Sequence, residues 1–206
     1  PLNSERPTLM TTNSPAAGAP LLLLIAGAKG AVASTLAVAA QTLRKAPAAV
    51  LDSLTTAGRF GGLLNPEAVH TAGWDVTAAP LSAAVARHGV LPAEVWKPLR
   101  AELDQVPLCS PPPAEAPAEE QIARLVADIQ RFRGAHPDSR AVLVDLLPAC
   151  ESSGLGDCQD PDPREITRAA ARCPDLVYGL AAVRARVPVV NFSPNELEIP
   201  RLVSEA

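Results

Sequence analysis

Aromatic residues are scarce in this 206-residue chain: two Trp, one Tyr and three Phe, 3% in all. Its core must therefore be aliphatic, built mainly from Leu, Val and Ala. Lysine is scarcer than arginine and stands only at 29, 45 and 97. The formal net charge is −4 and the pI about 5.4, and no basic stripe is interleaved with aromatics. That excludes the electrostatic footprint of nucleic-acid binding, so no such partner is expected. Four cysteines, at 109, 150, 158 and 173, match neither a zinc spacing nor a C-x-x-C redox motif. They read as free thiols of a reducing, cytoplasmic setting. The three histidines, at 70, 88 and 136, fall in no H-x-x-x-H or H-E-x-x-H context, so no metal is expected. No G-x-S-x-G is present, which removes a serine nucleophile elbow. Tyr178 is followed four residues later by Ala182, so a Tyr-Lys proton-transfer pair is missing too.

Membrane and export signals fail on similar grounds. Leu21 to Ala40 has the length of a span, but Lys29, two glycines and the adjoining Gln41 make insertion poor, and no membrane partner is expected. Residues 16–28 followed by Ala31-Val32-Ala33 imitate a signal peptide. No Lys or Arg lies between Met10 and Leu21, and Lys29 separates the apolar core from the cleavage-like site.

What is there begins at Leu21. LLLLIA, Leu21 to Ala26, is a short continuous apolar run, the pattern of a strand covered on both faces. It stops at Gly27, which suits a tight turn. Gly30 follows, where a pyrophosphate could approach the backbone. Ala33 then lets a helix pack close to the strand. The spacing is Gly27-x-x-Gly30-x-x-Ala33. The common dinucleotide fingerprint has a further glycine where this chain has Ala28. Free N–H groups near Ala31 to Ala33 would point at phosphates, with Ser34 and Thr35 adding hydroxyls. A P-loop needs Gly-Lys before Ser or Thr, and here Lys29-Gly30 is reversed.

Around this loop, strands and helices alternate. Residues 1–19 read as a disordered tail without periodicity, within which Met10 is a candidate start, and residues 20–206 as one domain. A helix is predicted over Ala31 to Lys45 and a short strand near Val50 to Leu54. An apolar stretch then leads to Gly73-Trp74-Asp75-Val76. Helices follow at Leu81 to His88, from Pro92 to about Gln105, and around Ile122, Leu125, Val126 and Ile129, ending near Gly134. Pro107 to Pro117 reads as an exposed loop between two helices. Ala141 to Leu147 and Val187 to Phe192 are strand candidates, and Arg164 to Arg172 and Leu176 to Arg186 are helical. The fold class is α/β: a Rossmann-type, doubly wound parallel sheet with helices on both faces and binding groups at the strands' carboxyl ends.

Four segments, in order, resemble the myo-inositol-1-phosphate synthase family, especially its bacterial members. Gly27 to Thr35 (GAKGAVAST) is similar to the family's glycine-rich loop. Gly73-Trp-Asp-Val76 resembles its G-[WH]-D-I segment. His88-Gly-Val-Leu-Pro92 fits a "GVLP" turn, and Val190-Asn-Phe-Ser-Pro-Asn195 an N-x-[ST]-P loop. The resemblance spans about Leu21 to Ala206. It implies NAD as cofactor and a redox-neutral isomerisation of glucose 6-phosphate to inositol phosphate by oxidation, aldol closure and reduction. The implied cofactor site is Gly27, Ala28, Lys29, Gly30, Ala31 and Val32 for the pyrophosphate, Asp75 for the adenosine ribose, and Asn191, Ser193 and Asn195 near the nicotinamide. An acidic Asp75 favours NAD, because it would repel the 2′-phosphate of NADP. A sugar phosphate and a homo-oligomeric assembly are the further partners implied.

The chain also departs from the family. Asp145-Leu-Leu-Pro-Ala-Cys150, with Glu151 beyond it, replaces a strand end usually rich in Asn, Ser and Thr, leaving fewer hydrogen-bonding groups. The family's lysine-bearing G-D-D-[FL]-K-S-G-like segment is not found before Ala206, so no catalytic residue is assigned, and an exposed apolar face is expected near Ile199 to Val203. The alternative to an isomerase is a truncated, non-catalytic nucleotide-binding or regulatory paralogue.

Overall fold

The computed structural model describes residues 20–45, 68–158, 161–195, 197 and 199–205. The strand expected near Val50 to Leu54 and the tail over 1–19 lie outside these residues. Five strands form one parallel sheet: β1 (Leu21–Ala26), β2 (Val69–Trp74), β3 (Leu108–Cys109), β4 (Arg140–Asp145) and β5 (Val189–Asn191), in the order β3-β2-β1-β4-β5. This is the doubly wound order, in which the chain works outward from β1 on one side and then crosses to β4. Leu24 stands in register between Ala72 and Leu143, and Ala26 between Trp74 and Asp145. The glycine loop, Asp75, Asp145 and Asn191 therefore all sit at one edge of the sheet.

The alternation of β1 sorts the two faces. Leu22, Leu24 and Ala26 face a core shared with α5 (Ala118–Ala135), α6 (Pro163–Arg172) and α7 (Asp175–Arg184). Ile25 packs with Ala28 and Ala33 toward α1 (Ala31–Lys45). Beyond α1 lie α2 (Leu81–His88), α3 (Ala93–Trp96) and α4 (Arg100–Asp104). The core is aliphatic, as its composition demands, except for one aromatic group. Trp74 is fully buried, with Phe132 and Tyr178 edge-on at 5.5 and 5.4 Å, and its indole N–H donates to Asp128 Oδ2 at 2.9 Å. At Gly73 the strands approach closely. A Cβ there would lie 2.1 Å from the Ile25 carbonyl oxygen.

Several boundaries differ from expectation for local reasons. The helix expected from Pro92 to Gln105 is broken into α3, a 3₁₀ turn (Lys97–Leu99) and α4, because Pro98 has no N–H to continue the ladder. The loop expected over Pro107 to Pro117 contains β3, a two-residue strand against β2. β4 ends at Asp145, whose Oδ1 accepts the Leu147 amide at 3.1 Å and turns the chain. β5 begins only at Val189, where Pro188 can still accept from Leu143 but cannot donate. α6 starts with a capping box between Asp162 and Glu165. The apolar face expected at Ile199 to Val203 is not exposed as a face: α8 (Pro200–Glu205) brings Ile199 into the core and Leu202 against it, while Val203 is exposed. Among the described residues no helix is long and apolar enough to cross a membrane.

Candidate functional site

The chain leaves β1 at Gly27 with φ +81°, a conformation a side chain would strain. A Cβ at Gly27 would also lie 3.0 Å from the Leu146 carbonyl oxygen, so the loop nests against the end of β4. The amides of Gly27 and Ala28 both donate to the Trp74 carbonyl, at 3.1 and 3.0 Å. Ala28 is buried against Ile25 and Ala33. That explains an alanine where the common fingerprint has glycine, since this position faces the core. Gly30 donates to the Gly27 carbonyl at 3.0 Å and closes the turn. α1 then opens with Ala31, Val32 and Ala33, where N–H groups have no helical carbonyl four residues back. No acidic side chain occupies its first turn.

Asp75 braces this loop. Its Oδ2 accepts the Lys29 amide at 2.7 Å and its Oδ1 the Thr77 amide at 2.8 Å. The Lys29 ammonium donates to the Thr77 carbonyl, and the Lys29 carbonyl lies 2.9 Å from His88 Nε2. Because a carbonyl only accepts, this contact calls for the Nε2–H tautomer of His88. The segments after β1, β2 and α2 are thus tied together through Lys29.

A cleft of about 630 Å³ opens beside this knot, over the ends of β1 and β4 where the strand order reverses. Gly27, Lys29, Gly30 and Asp75 line one side, with Arg87 adding a guanidinium and His88 an imidazole. The opposite wall is mostly apolar, with Leu146, Leu147, Pro148, Pro174 and Val177. Tyr178 lies at the base. Burial, and then the charge of Asp145, push its phenol above the ordinary range, so it stays neutral. Such a site can hold an extended molecule with an anionic centre and flat apolar ends.

Asn191, Ser193 and Asn195 do not line the cleft. They gather around Asp175 at the end of β5. Asp175 Oδ1 accepts from Ser193 Oγ at 3.0 Å and Asn195 Nδ2 at 2.7 Å, while Asn191 Nδ2 donates to the Asn195 carbonyl at 2.7 Å. Asn195 also donates to the Pro148 carbonyl at 2.9 Å and accepts the Cys150 amide at 2.9 Å. Asp145 and Asp175 are both fully buried. Burial, reinforced by Asp175, pushes the Asp145 carboxyl up to about 7. Sequence reasoning noted Asp145 and Glu151 but missed Asp175, Arg87 and His88 as site groups. His88 was visible only as the start of a turn, and nothing local distinguishes Asp175 from an ordinary residue in a helix's first turn.

No protein-family model matches the chain. A curated protein, the inositol-3-phosphate synthase of Spirodela polyrhiza, is 27% identical over 165 residues, a match covering 70% of this chain and 32% of the plant protein. The crystal structure of inositol-3-phosphate synthase from Caenorhabditis elegans superposes with a TM-score of 0.67 at 17% identity, covering 92% of this chain and 47% of that one. The chain is similar to these inositol-3-phosphate synthases in sequence and in fold. It spans about a third of the length of the plant synthase and about half of the nematode one. The structural likeness to that synthase carries the α/β fold, and the sequence likeness supports the same family over part of its length.

Proposed function

We propose that this chain is the dinucleotide-binding unit of an inositol-3-phosphate synthase-like protein, with NAD as its cofactor. The observation that carries this reading is the glycine loop at the end of β1, bound to Asp75 and opening onto the cleft at the sheet's switch point. The residues present fit the cofactor. The Gly27 turn tolerates no Cβ, and the helix behind it starts without an acidic residue. In this reading the N–H groups of Ala31 and Val32 hold the pyrophosphate, while Gly27, Lys29 and Gly30 shape the turn beneath it, their own N–H groups donating to Trp74, Asp75 and Gly27. Ala28 supports the turn from the core side. Asp75 has spare lone pairs for ribose hydroxyls while fixing the loop. Asn191, Ser193 and Asn195 serve the nicotinamide end indirectly, by holding Pro148 and Asp175 behind the cleft wall.

When bound, NAD supplies a hydride acceptor that later returns the hydride. The family's isomerisation of glucose 6-phosphate, its sugar-phosphate partner, a homo-oligomeric assembly and a cytoplasmic location are proposed for the protein as a whole. In that reading the chain contributes orientation, with Arg87 offering a cation to a phosphate at the cleft mouth.

Calorimetric titration tests the central claim. We expect saturable binding of NAD and at least tenfold weaker binding of NADP, whose 2′-phosphate would meet the Asp75 carboxylate. Gly30→Val should abolish the heat while leaving the circular dichroism of the fold unchanged. Absence of heat at millimolar NAD in a folded chain overturns the reading, as does a Gly30→Val variant that binds like the wild type.

A further inference from the structure

Behind the cleft wall, three segments bring soft and anionic groups together. Cys150 follows β4, Cys173 closes α6 and Asp175 opens α7. One sulfur or oxygen atom from each lies within 4.8 Å of the other two. Cys173 and Asp175 are buried, and Cys150 is half-buried. Asp175 Oδ1 is occupied by Ser193 and Asn195, whereas the contact to Oδ2 is a thiol at 3.9 Å. An oxygen of Asp175 and the two sulfurs share one small volume.

A second observation concerns charge. Asp145 and Asp175 are both at 0% exposure, and neither forms an ion pair among the described residues. Asp145 Oδ2 is buried with no hydrogen-bond partner among those residues. Two carboxyl groups buried together call for a proton or a cation between them. Asn195 completes the arrangement. It holds Asp175, the Cys150 amide and the Pro148 carbonyl at once, the kind of outer support that fixes metal ligands.

We propose that Cys150, Cys173 and Asp175 form a zinc-class metal site. Two thiolates and one carboxylate suit a borderline-soft, tetrahedral divalent ion and disfavour magnesium or calcium. Sulfur atoms on one tetrahedral zinc stand about 3.8 Å apart, which small side-chain rotations reach from the present separation. Binding releases the thiol protons. Both thiol protons pass to solvent as the metal takes their place. Three protein ligands leave the fourth tetrahedral position open, and the half-buried Cys150 gives the ion an entry path. The ion would staple the end of β4 to the α6–α7 junction and so fix Pro148 and Pro174, which line the cleft.

The test uses cobalt(II) as a spectroscopic probe on the full chain, freed of metal by chelation and kept reduced with a phosphine. We expect one equivalent of cobalt, intense sulfur-to-cobalt charge transfer with tetrahedral ligand-field bands, and displacement by zinc. Cys150→Ser and Cys173→Ser should each lose charge-transfer intensity, and Asp175→Asn should weaken binding at least tenfold. Cys109→Ser and Cys158→Ser should leave the spectrum unchanged. Zinc should also raise the melting temperature of the wild type and not that of Cys150→Ser. If Cys173→Ser fails to fold, the half-buried Cys150→Ser decides. A folded wild type without these bands overturns the site, as do bands that survive Cys150→Ser. None of these readouts involves NAD, so the site stands or falls apart from the cofactor assignment.

Discussion

Asp75 and Asp145 stand at the same edge of one sheet, on either side of β1, yet their surroundings differ completely. Asp75 accepts two backbone amides and borders an open cleft. Asp145 accepts one amide, is fully buried and faces a second buried carboxylate. The first arrangement suits a charged brace that shapes a loop. The second raises the carboxyl toward neutrality and calls for a proton or a cation. A strand-end aspartate therefore takes its role from how many N–H groups meet it and what lies behind it.

Substitutions can break or sharpen this contrast. The largest effect is expected from Gly73→Val, which forces a side chain where even a Cβ would lie 2.1 Å from the Ile25 carbonyl oxygen. Separating β1 from β2 should cost more than ~4 kcal/mol and remove the cooperative urea transition. Next comes Asp75→Asn. An amide cannot accept from both Lys29 and Thr77 without turning its own N–H₂ on one of them. We expect a loss of about 1–3 kcal/mol in urea unfolding and at least a tenfold loss of NAD affinity by calorimetry.

The same change at Asp145 should go the other way. In protein stripped of metal, Asp145→Asn is expected to be neutral or stabilising near neutral pH, because it removes a carboxylate facing Asp175. The folded chain holds a proton at Asp145 up to about pH 7, whereas the unfolded carboxyl loses it near 3.8. Wild-type stability should thus fall as pH rises through that window, and the variant should flatten the fall. A clear destabilisation by Asp145→Asn at pH 7 would end the contrast.

The smallest effect lies at the opposite end of the sheet. His70 and His136 stack with ring centroids 4.2 Å apart. Burial, then the charge of His136, then that of Arg44 lower the His70 pKa below its usual 6.5. The unfolded chain takes up that proton first, so stability is full above pH 6.5 and is lost as pH falls below it. His136→Gln should narrow the gap between urea midpoints at neutral and mildly acidic pH by less than ~1 kcal/mol.

Much of the cleft's near side was legible from local pattern. The apolar run of β1, the glycine loop, α1 and the periodic stripe of α5 each declare themselves within a few residues. So did Asp75, because it directly follows a strand. The far side was not legible. Cys150, Cys173 and Asp175 come from three segments whose spacing follows no metal motif, and only the crossover of the sheet brings them together. β3 is two residues long and held by β2, with no periodicity of its own. Pro98 and Pro188 shortened their elements, an effect that apolar patterning does not register.

Trp74 has an optical consequence. It is fully buried, lies at the base of the cleft and holds its indole N–H on Asp128. The other tryptophan, Trp96, sits apart, against the core formed by α1, α2 and α4. Indole emission overlaps the absorption band of a reduced nicotinamide. A dinucleotide seated in the cleft in its reduced form would therefore draw excitation from Trp74, which lines that cleft. With Trp96→Phe as the background, the protein's own fluorescence becomes a gauge of cleft occupancy and of the redox state of whatever occupies it.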